Sequence, residues 1–516
     1  MRKDGQASRP PFRRVLVANR GEIAVRILRA CRELGIESVA VHSDADLDAL
    51  HVSLADHAER IGPAAAGESY LSVEAILAAA RRSGAEAIHP GYGFLSESAA
   101  FADAVTAAGL VFIGPPAETL ARLGDKLAAR HAAVAAGVPI VPGLDLPLDG
   151  VHEAPSAAEL ARVGFPALLK AAAGGGGRGM RRVDSVAEIG PAIELARAEA
   201  TAAFGDGTLY LERLIEPARH IEVQLLGDRA GNLAILGERE CSVQRRHQKL
   251  VEETPSPAVT PEIRAVLFDS ARRIAETVDF RNAATAEFLL DRAGSHYFLE
   301  MNTRLQVEHG ITELVTGLDL VAWQIRIAAG ELLPAEVLSV SGRGHAIEAR
   351  IYAEDPHQDF RPVAGSLTTW RMPSGPGVRV DAGVAAGSEL PTDYDPLLAK
   401  IMVHAVDRPA ALARMRRALD ETLIGGVQTD LSFLHWLFDE VGFAEGAYDT
   451  GLIAERWGDG PLISDEEAQL AALAATEARR RERQIAAAPG QPIAPVARGW
   501  VTAARREAVE RRGRRA

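Results

Sequence analysis

The stretch from Ala283 to Glu308 constrains the chain more than any other. Ala283 to Leu290 and His296 to Met301 read as two strands joined by a turn around Arg292-Ala293-Gly294-Ser295. Folding this hairpin about Ala293-Gly294 sets Glu287 directly across from Glu300. A strand period of two then carries Asn302 and Arg304 onto the face of Glu300. Two carboxylates about 4 Å apart repel by roughly 4 kcal/mol at an effective dielectric near 20. A folded protein keeps such a pair with a shared proton or a bridging cation. Two Glu and an Asn are hard oxygen ligands, the set Mg²⁺ accepts when phosphates complete its coordination. A solvated hairpin face accounts for these residues alone equally well, so the rest of the chain must decide.

At 516 residues the chain holds about three or four domain-sized units. Its 47% hydrophobic and 25% charged content is that of a soluble globular protein. No apolar run approaches the roughly 20 residues of a membrane span, and Met1 to Arg14 lacks the apolar core of a signal peptide. Two cysteines, Cys31 and Cys241, make neither a disulfide framework nor a Cys-rich metal site. A cytoplasmic enzyme is expected, and a net charge of −13 argues against nucleic acid as its partner. Of 57 basic residues only five are lysine (Lys3, Lys126, Lys170, Lys249, Lys400), which leaves 57 − 5 = 52 arginines. With such a bias, Lys126, Lys170 and Lys249 mark places where a compact point charge is needed and a planar fork does not fit.

In chain order, Val15 to Ala18, Ser38 to His42, Ile88 onward and Val111 to Gly114 read as strands. A helix over Ile23–Leu34 follows the first, and a Gly-rich loop, His89 to Glu97, ends the third. This alternation predicts a parallel, Rossmann-like sheet over 12–125. Gly-x-Gly-x-x-Gly is missing after the first strand, which disfavours a dinucleotide. Residues 143–156 read as surface loop. Phe165 to Lys170 is a strand ending in lysine, followed by five glycines within Gly174 to Gly179. Such a run lets backbone N–H groups approach an anion. It lacks the Gly-Lys-Ser/Thr of a Walker loop, so a mobile lid over phosphates is the better reading. Leu209 to Leu214 could present backbone groups to an adenine edge, and His220 to Leu226 is an alternating strand. Glu238 to Lys249 is dense in basic and amide side chains, suited to a small anion or to a solvated face. Spacing alone does not select His220, and nothing near Cys241 makes it a nucleophile. Ile311–Ala329 is expected to be one helix, 345–405 strands and turns, and 408–440 helical again.

Together these stretches resemble the biotin carboxylase family, ATP-grasp enzymes that carboxylate biotin. The resemblance covers about 12 to 455. It rests on Asn19 to Ile27, His89 to Ser98, Gly124-Asp125-Lys126, the glycine run, Gln244 to Lys249, Glu300 to His309 and His345 to Arg350. It implies an α/β and α+β multidomain fold: an N-terminal Rossmann-like domain (12–125), an ATP-grasp domain (126–340, lid about 141–213) and a C-terminal domain (341–455). A tail, 456–516, follows. The resemblance also implies residue roles. Lys126 and Lys170 would bind ATP phosphates under the Gly176-Gly177 backbone. Glu212, Arg213 and Leu214, with His220, would hold the nucleoside, and Gln244 and His247 would lie along the nucleotide. Glu287, Glu300 and Asn302 would carry Mg²⁺ or Mn²⁺. Lys249, Arg304, Gln306 and the Val307 N–H would hold bicarbonate, Glu308 would be its general base, and Arg350 would stabilise the biotin enolate.

That chemistry asks for these residue types. Bicarbonate is a poor electrophile, and ATP converts it to carboxyphosphate in a step that crowds anions together. Catalysis is then mostly charge neutralisation, alignment and a base, in a site shut against water. Departures from the family pattern are Ala173, Arg213 and Gly310, where Gly, Lys and Pro are common.

No Ala-Met-Lys-Met hairpin for biotin attachment occurs. The expected partners are therefore a biotin carboxyl carrier protein and the carboxyltransferase of an acyl-CoA carboxylase, with a homodimer, no nucleic acid and no membrane. Gly499-Trp500 and Ala503 to Ala508 resemble the start of the segment following this domain in larger α subunits, and would help dock a partner. Two other readings are another ATP-grasp ligase working through an acylphosphate, such as half of a carbamoyl-phosphate synthetase, and an inactive scaffold.

Overall fold

The computed structural model describes residues 10–124, 126–146, 155–171, 180–204, 207–458 and 460. Three sheets organise them into a mixed α/β, multidomain architecture. The first is parallel and has five strands, in the order β3-β2-β1-β4-β5. They are β1 (Arg14–Val17), β2 (Glu37–Ser43), β3 (His57–Gly62), β4 (Ala87–His89) and β5 (Val111–Phe112). Helices cover both faces, so β1 and β2 are near-continuous apolar runs, and Val15, Leu16, Val17, Val39, Ala40 and Val41 are fully buried. The sequence pattern misses β3, a polar edge strand (His57-Ala58-Glu59-Arg60) with no apolar alternation to betray it.

The second sheet has four strands in the order β6-β9-β7-β8: β6 (Gly143–Leu146), β7 (Ala167–Ala171), β8 (Arg181–Val183) and β9 (Leu209–Arg213). Helices Ala157–Val163 and Ile189–Phe204 pack on it through Leu160, Val163, Ala196 and Ala200. The expectation of loop over 143–156 is thus corrected for 143–146, while 147–154 lie outside the described residues. Gly143–Leu146 pairs with β9, and Ser156 starts the next helix with a reciprocal capping box to Glu159. Gly143 fits because a Cβ there would meet the Leu211 carbonyl at 2.7 Å.

The third sheet is antiparallel and central. Its strands are β10 (Ala218–Gly227), β11 (Leu233–Arg245), β12 (Gln248–Thr254), β13 (Asn282–Asp291), β14 (His296–Asn302), β15 (His345–Tyr352), β16 (Val378–Ala382) and β17 (Leu397–Ala405). They run β14-β13-β10-β11-β12-β15-β17-β16. Strand alternation divides its faces. Ile221, Val223 and Leu225 on β10 and Ala284, Ala286 and Phe288 on β13 pack against Leu267, Ala271 and Ile274 of helix Pro261–Thr277. That helix starts cleanly, with Pro261 in its first turn and the Thr260 hydroxyl accepting from the Ile263 N–H at 3.3 Å. The residues between these apolar ones point to the other face, where the charges gather. The single helix expected over 311–329 is two, His309–Thr316 and Leu320–Ala328. They break at Gly317 (φ 73°), and Asp319 caps the second. Among the described residues no helix is long and apolar enough to cross a membrane.

Candidate active site

Antiparallel register lines up one charged row across the central sheet. Glu300 on β14 faces Glu287 on β13, Glu287 faces Glu222 on β10, and Glu222 faces Arg239 on β11. Three neighbouring carboxylates need internal cations. Arg239, wholly buried, gives its Nε to Glu222 (2.5 Å) and its terminal nitrogens to Gln224 and Gln306, each 2.7 Å away. Lys249 supplies the second cation. Its ammonium reaches Glu222 (2.7 Å), Glu287 (3.0 Å) and Glu308 (2.8 Å), using all three of its donors. All three donors radiate from one nitrogen, a compact head that differs from the broad planar fork of arginine.

The loop after β14 adds further charged and polar groups. Arg304 is held by Glu97 (2.9 Å) and by the Asn302 amide oxygen (2.8 Å). Gln306 donates to Glu287 at 2.6 Å. Glu308, buried at the start of helix His309–Thr316, accepts from Lys249 and from Arg350 at 3.1 Å. Burial acts to raise the Glu308 carboxyl, but Lys249, Arg350 and Arg239 override it and hold the group well below the usual carboxylate range. Arg350 is in turn braced by Glu252 on the neighbouring strand. Helix His309–Thr316 sits close on β17 because residue 310 is glycine: a Cβ there would run into the Met402 sulfur.

At the other end of the cleft lie the groups expected around a nucleotide. β11 and β12 join through a two-residue turn, Arg246-His247, with φ of 47° and 68°. Such turns favour Asn-Gly, and each non-glycine residue there costs about 1–3 kcal/mol of strain. Strain of this kind marks a functional constraint. The turn brings His247 near Lys170, His220 and Lys126, which add to partial desolvation in lowering its pKa. Lys170 on β7 bonds Glu212 on β9 at 2.6 Å, and Arg130 holds the other Glu212 oxygen. Lys126 opens helix Lys126–Ala135. Gln244 on β11 is the register partner of Lys249. The Arg213 side chain turns to the Val163 carbonyl (2.7 Å), and the backbone N–H groups of Arg213 and Leu214 already donate to Pro142 and Pro166. Gly176 and Gly177 lie outside the described residues.

The donor set at the Glu287–Glu300 pair fits a metal. The Glu300 carboxylate makes no hydrogen bond or ion pair with the described residues, and burial, Glu287 and Glu97 raise its pKa against Lys126. An unpartnered carboxylate beside a second one suits a divalent cation. The Glu287 Oε1 atom serves Lys249, Asn302 and Gln306, while Oε2 meets only His220, at 2.7 Å. Glu287 and Glu300 would together hold such a cation. His220, Glu222 and Glu287 also bring ligand atoms within 4.8 Å of one another, but Lys249 and Arg239 already neutralise that cluster. Glu222, Arg239, Glu97 and Glu252 escape the sequence reading, although Glu222 stands two residues after His220 on the charged face of β10.

Family models for the biotin carboxylase N-terminal domain match residues 11–120, and for its C-terminal domain 348–455. Between them, 125–336 match the carbamoyl-phosphate synthase L chain ATP-binding domain. The biotin carboxylase of Nostoc sp. is 49% identical over 445 residues, which covers 86% of this chain and 99% of that protein. The chain belongs to the biotin carboxylase family. The biotin carboxylase of Allochromatium vinosum is likewise 50% identical over 434 residues, 84% of this chain and 96% of that one. Among solved structures, the biotin carboxylase domain dimer of Hydrogenobacter thermophilus 2-oxoglutarate carboxylase, bound to MgADP, ADP and bicarbonate, aligns with a TM-score of 0.83. It is 43% identical, over 87% of this chain and 99% of that one. The Campylobacter jejuni biotin carboxylase gives 0.82 at 43% identity, over 86% and 99%. As a biotin carboxylase, the chain is an ATP-grasp ligase. The carbamoyl-phosphate synthase likeness is confined to the middle of the chain, and flanking domains of the biotin carboxylase type set the assignment.

Proposed function

We propose that this biotin carboxylase joins bicarbonate to carrier-bound biotin at the cleft described above, with ATP as the energy source. The observation that carries the reading is the Lys249–Glu308–Arg350 cluster near Arg304: a buried carboxylate base gathered with three cations. Lys249, Arg304, Gln306 and the Val307 N–H hold bicarbonate. Lys126 and Lys170 neutralise the ATP phosphates, with Gly176 and Gly177 closing over them. His220, Gln244 and His247 line the nucleotide, and Glu212, Arg213 and Leu214 border its base. Glu287, Glu300 and Asn302 would hold Mg²⁺ or Mn²⁺, which would supply charge neutralisation at the phosphates.

Glu308 accepts the bicarbonate proton as a bicarbonate oxygen attacks the γ-phosphorus and the bond to ADP breaks. Its depressed pKa makes it a weak base while Lys249 and Arg350 both hold it. An anion drawing those cations onto itself raises the proton affinity of Glu308 when it is needed. The product, carboxyphosphate, splits into CO₂ and phosphate. Phosphate takes the proton from the ureido nitrogen of biotin, Arg350 stabilises the resulting enolate, and the nitrogen attacks CO₂. Carboxylation with ¹⁸O-bicarbonate tests the order of bonds: one label should appear in inorganic phosphate, and unlabelled phosphate contradicts the scheme.

The chain divides, on this reading, into domains at 12–125, 126–340 and 341–455 and a tail at 456–516. β15, β16 and β17 of the third segment extend the sheet of the second, so those two fold around one surface. A separate biotin carrier, a carboxyltransferase, a homodimer and a cytoplasmic setting complete the reading. Biotin covalently attached to this purified chain would overturn the separate carrier.

A further inference from the structure

Three of the five lysines serve the cleft; Lys400 has no part in that account. It lies on β17, wholly buried, one of the largest side chains in the molecule with no solvent contact. Its strand partners are Arg350 on β15 and Asp381 on β16. Cross-strand partners share a face, so the Lys400 ammonium rises beside Arg350 under the loop that carries Gln306, Val307 and Glu308. There it donates to the Val307 carbonyl and stands 3.4 Å from Glu22, which also accepts from the Tyr92 hydroxyl. Glu348, two residues before Arg350, shares this floor with neither carboxylate oxygen hydrogen-bonded.

We propose that Lys400 is a positioning residue for the bicarbonate site, pinning the peptide plane between Val307 and Glu308. That plane joins the residue whose N–H faces the anion to the residue that takes its proton. Burying an ammonium costs several kcal/mol unless it is well paired, and in a chain with 57 − 5 = 52 arginines its retention calls for a reason. A compact head that can reach one carbonyl and one carboxylate in a closed space is such a reason. Burial works to lower the Lys400 pKa, but Glu22, Glu348 and Asp381 outweigh it and Arg379, so the group stays charged. The inference rests on Val307 and Glu308 lining the bicarbonate site.

Steady-state kinetics of the full chain, varying bicarbonate and ATP separately, tests it. Lys400→Met alone strands Glu22 as an unpaired buried charge, so the variant of choice is Lys400→Met with Glu22→Gln. Melting temperature and ATP KM should stay near wild type, while bicarbonate KM rises about tenfold or more. Lys400→Gln with Glu22→Gln, which keeps a donor for the Val307 carbonyl, should fall between. Glu22→Gln alone keeps the Lys400–Val307 bond and should keep the wild-type bicarbonate KM. An unchanged bicarbonate KM in the Lys400→Met pair, an equal rise in both KM values, or an equal bicarbonate effect from Glu22→Gln alone overturns the proposal. Wild-type enzyme that turns over ATP without bicarbonate overturns the site assignment itself. Bicarbonate-dependent wild type with indifferent variants overturns only the role of Lys400.

Discussion

The two ends of the cleft handle charge in opposite ways. At the bicarbonate end each cation is already paired: Lys249 with three carboxylates, Arg304 with Glu97, and Arg350 with Glu252 and Glu308. At the phosphate end Lys170 is paired with Glu212, but the Glu300 carboxylate has no hydrogen-bond or ion-pair partner among the described residues, and desolvation, with Lys170, His220 and Lys126 beside it, lowers the pKa of His247. The neighbours Glu287 and Glu300 state the contrast most sharply. One is bound by four donors and held far below the usual carboxylate range, despite a desolvation that favours the neutral acid. The other is raised. On the proposed assignment, the bicarbonate end would be preorganised before substrate arrives, and the phosphate end would be completed by nucleotide and metal.

The largest effect should come from removing the hub of the preorganised end. Lys249→Met leaves Glu222, Glu287 and Glu308 without their common cation. It should cost about 3–5 kcal/mol of stability and lower bicarbonate-dependent turnover by about 10²–10³-fold. Urea denaturation and phosphate-release kinetics read the two; a stable, active variant breaks the contrast. Glu287→Gln and Glu300→Gln sharpen it. The first should destabilise strongly. The second should leave stability equal or about 1 kcal/mol higher while raising the Mg²⁺ needed for half-maximal rate about tenfold or more. Melting temperatures and Mg²⁺ titrations of both variants check this.

A smaller effect concerns pH. Burial pushes Glu252 up to about 7 despite Arg350. Its folded pKa thus exceeds the unfolded value, so the stability it adds is fully present below about pH 4.5 and is lost as pH rises through about 7. Glu308, depressed, behaves conversely: its contribution is fully present above about pH 4.5 and declines as pH falls below that toward its lower folded value. Glu252→Gln should flatten the stability profile between about pH 4.5 and 7 by roughly 1–3 kcal/mol, measured by denaturation across that range. The smallest effect is expected from Arg213→Ala. Its side chain faces the Val163 carbonyl, so ATP KM should change less than about threefold.

Local pattern made some of this legible and tertiary pairing hid the rest. The hairpin and the Glu287–Glu300 pairing follow from alternation, but the turn does not: Leu290 pairs with His296, which centres the fold on Ala293, and a register shift between Glu287 and Phe288 restores the expected pair. Lysine scarcity pointed to Lys249 because a compositional bias carries information without any contact. Arg239 lay within the Glu238–Lys249 stretch already noted, but its partners did not show, and Glu252 was not singled out at all. Each sits in a strand whose register against its neighbour is set by packing, and nothing within a few residues shows which carboxylate or guanidinium it will meet. β6 was hidden similarly, since Gly143-Leu144-Asp145-Leu146 becomes a strand only through β9.

The central claim is that one cleft couples bicarbonate activation at its paired end to ATP at its open end. Phosphate release with saturating MgATP, varying bicarbonate and free biotin independently, tests it most directly. The account predicts release that requires bicarbonate and rises with biotin. Release that ignores bicarbonate, or that ammonia supports in its place, contradicts it.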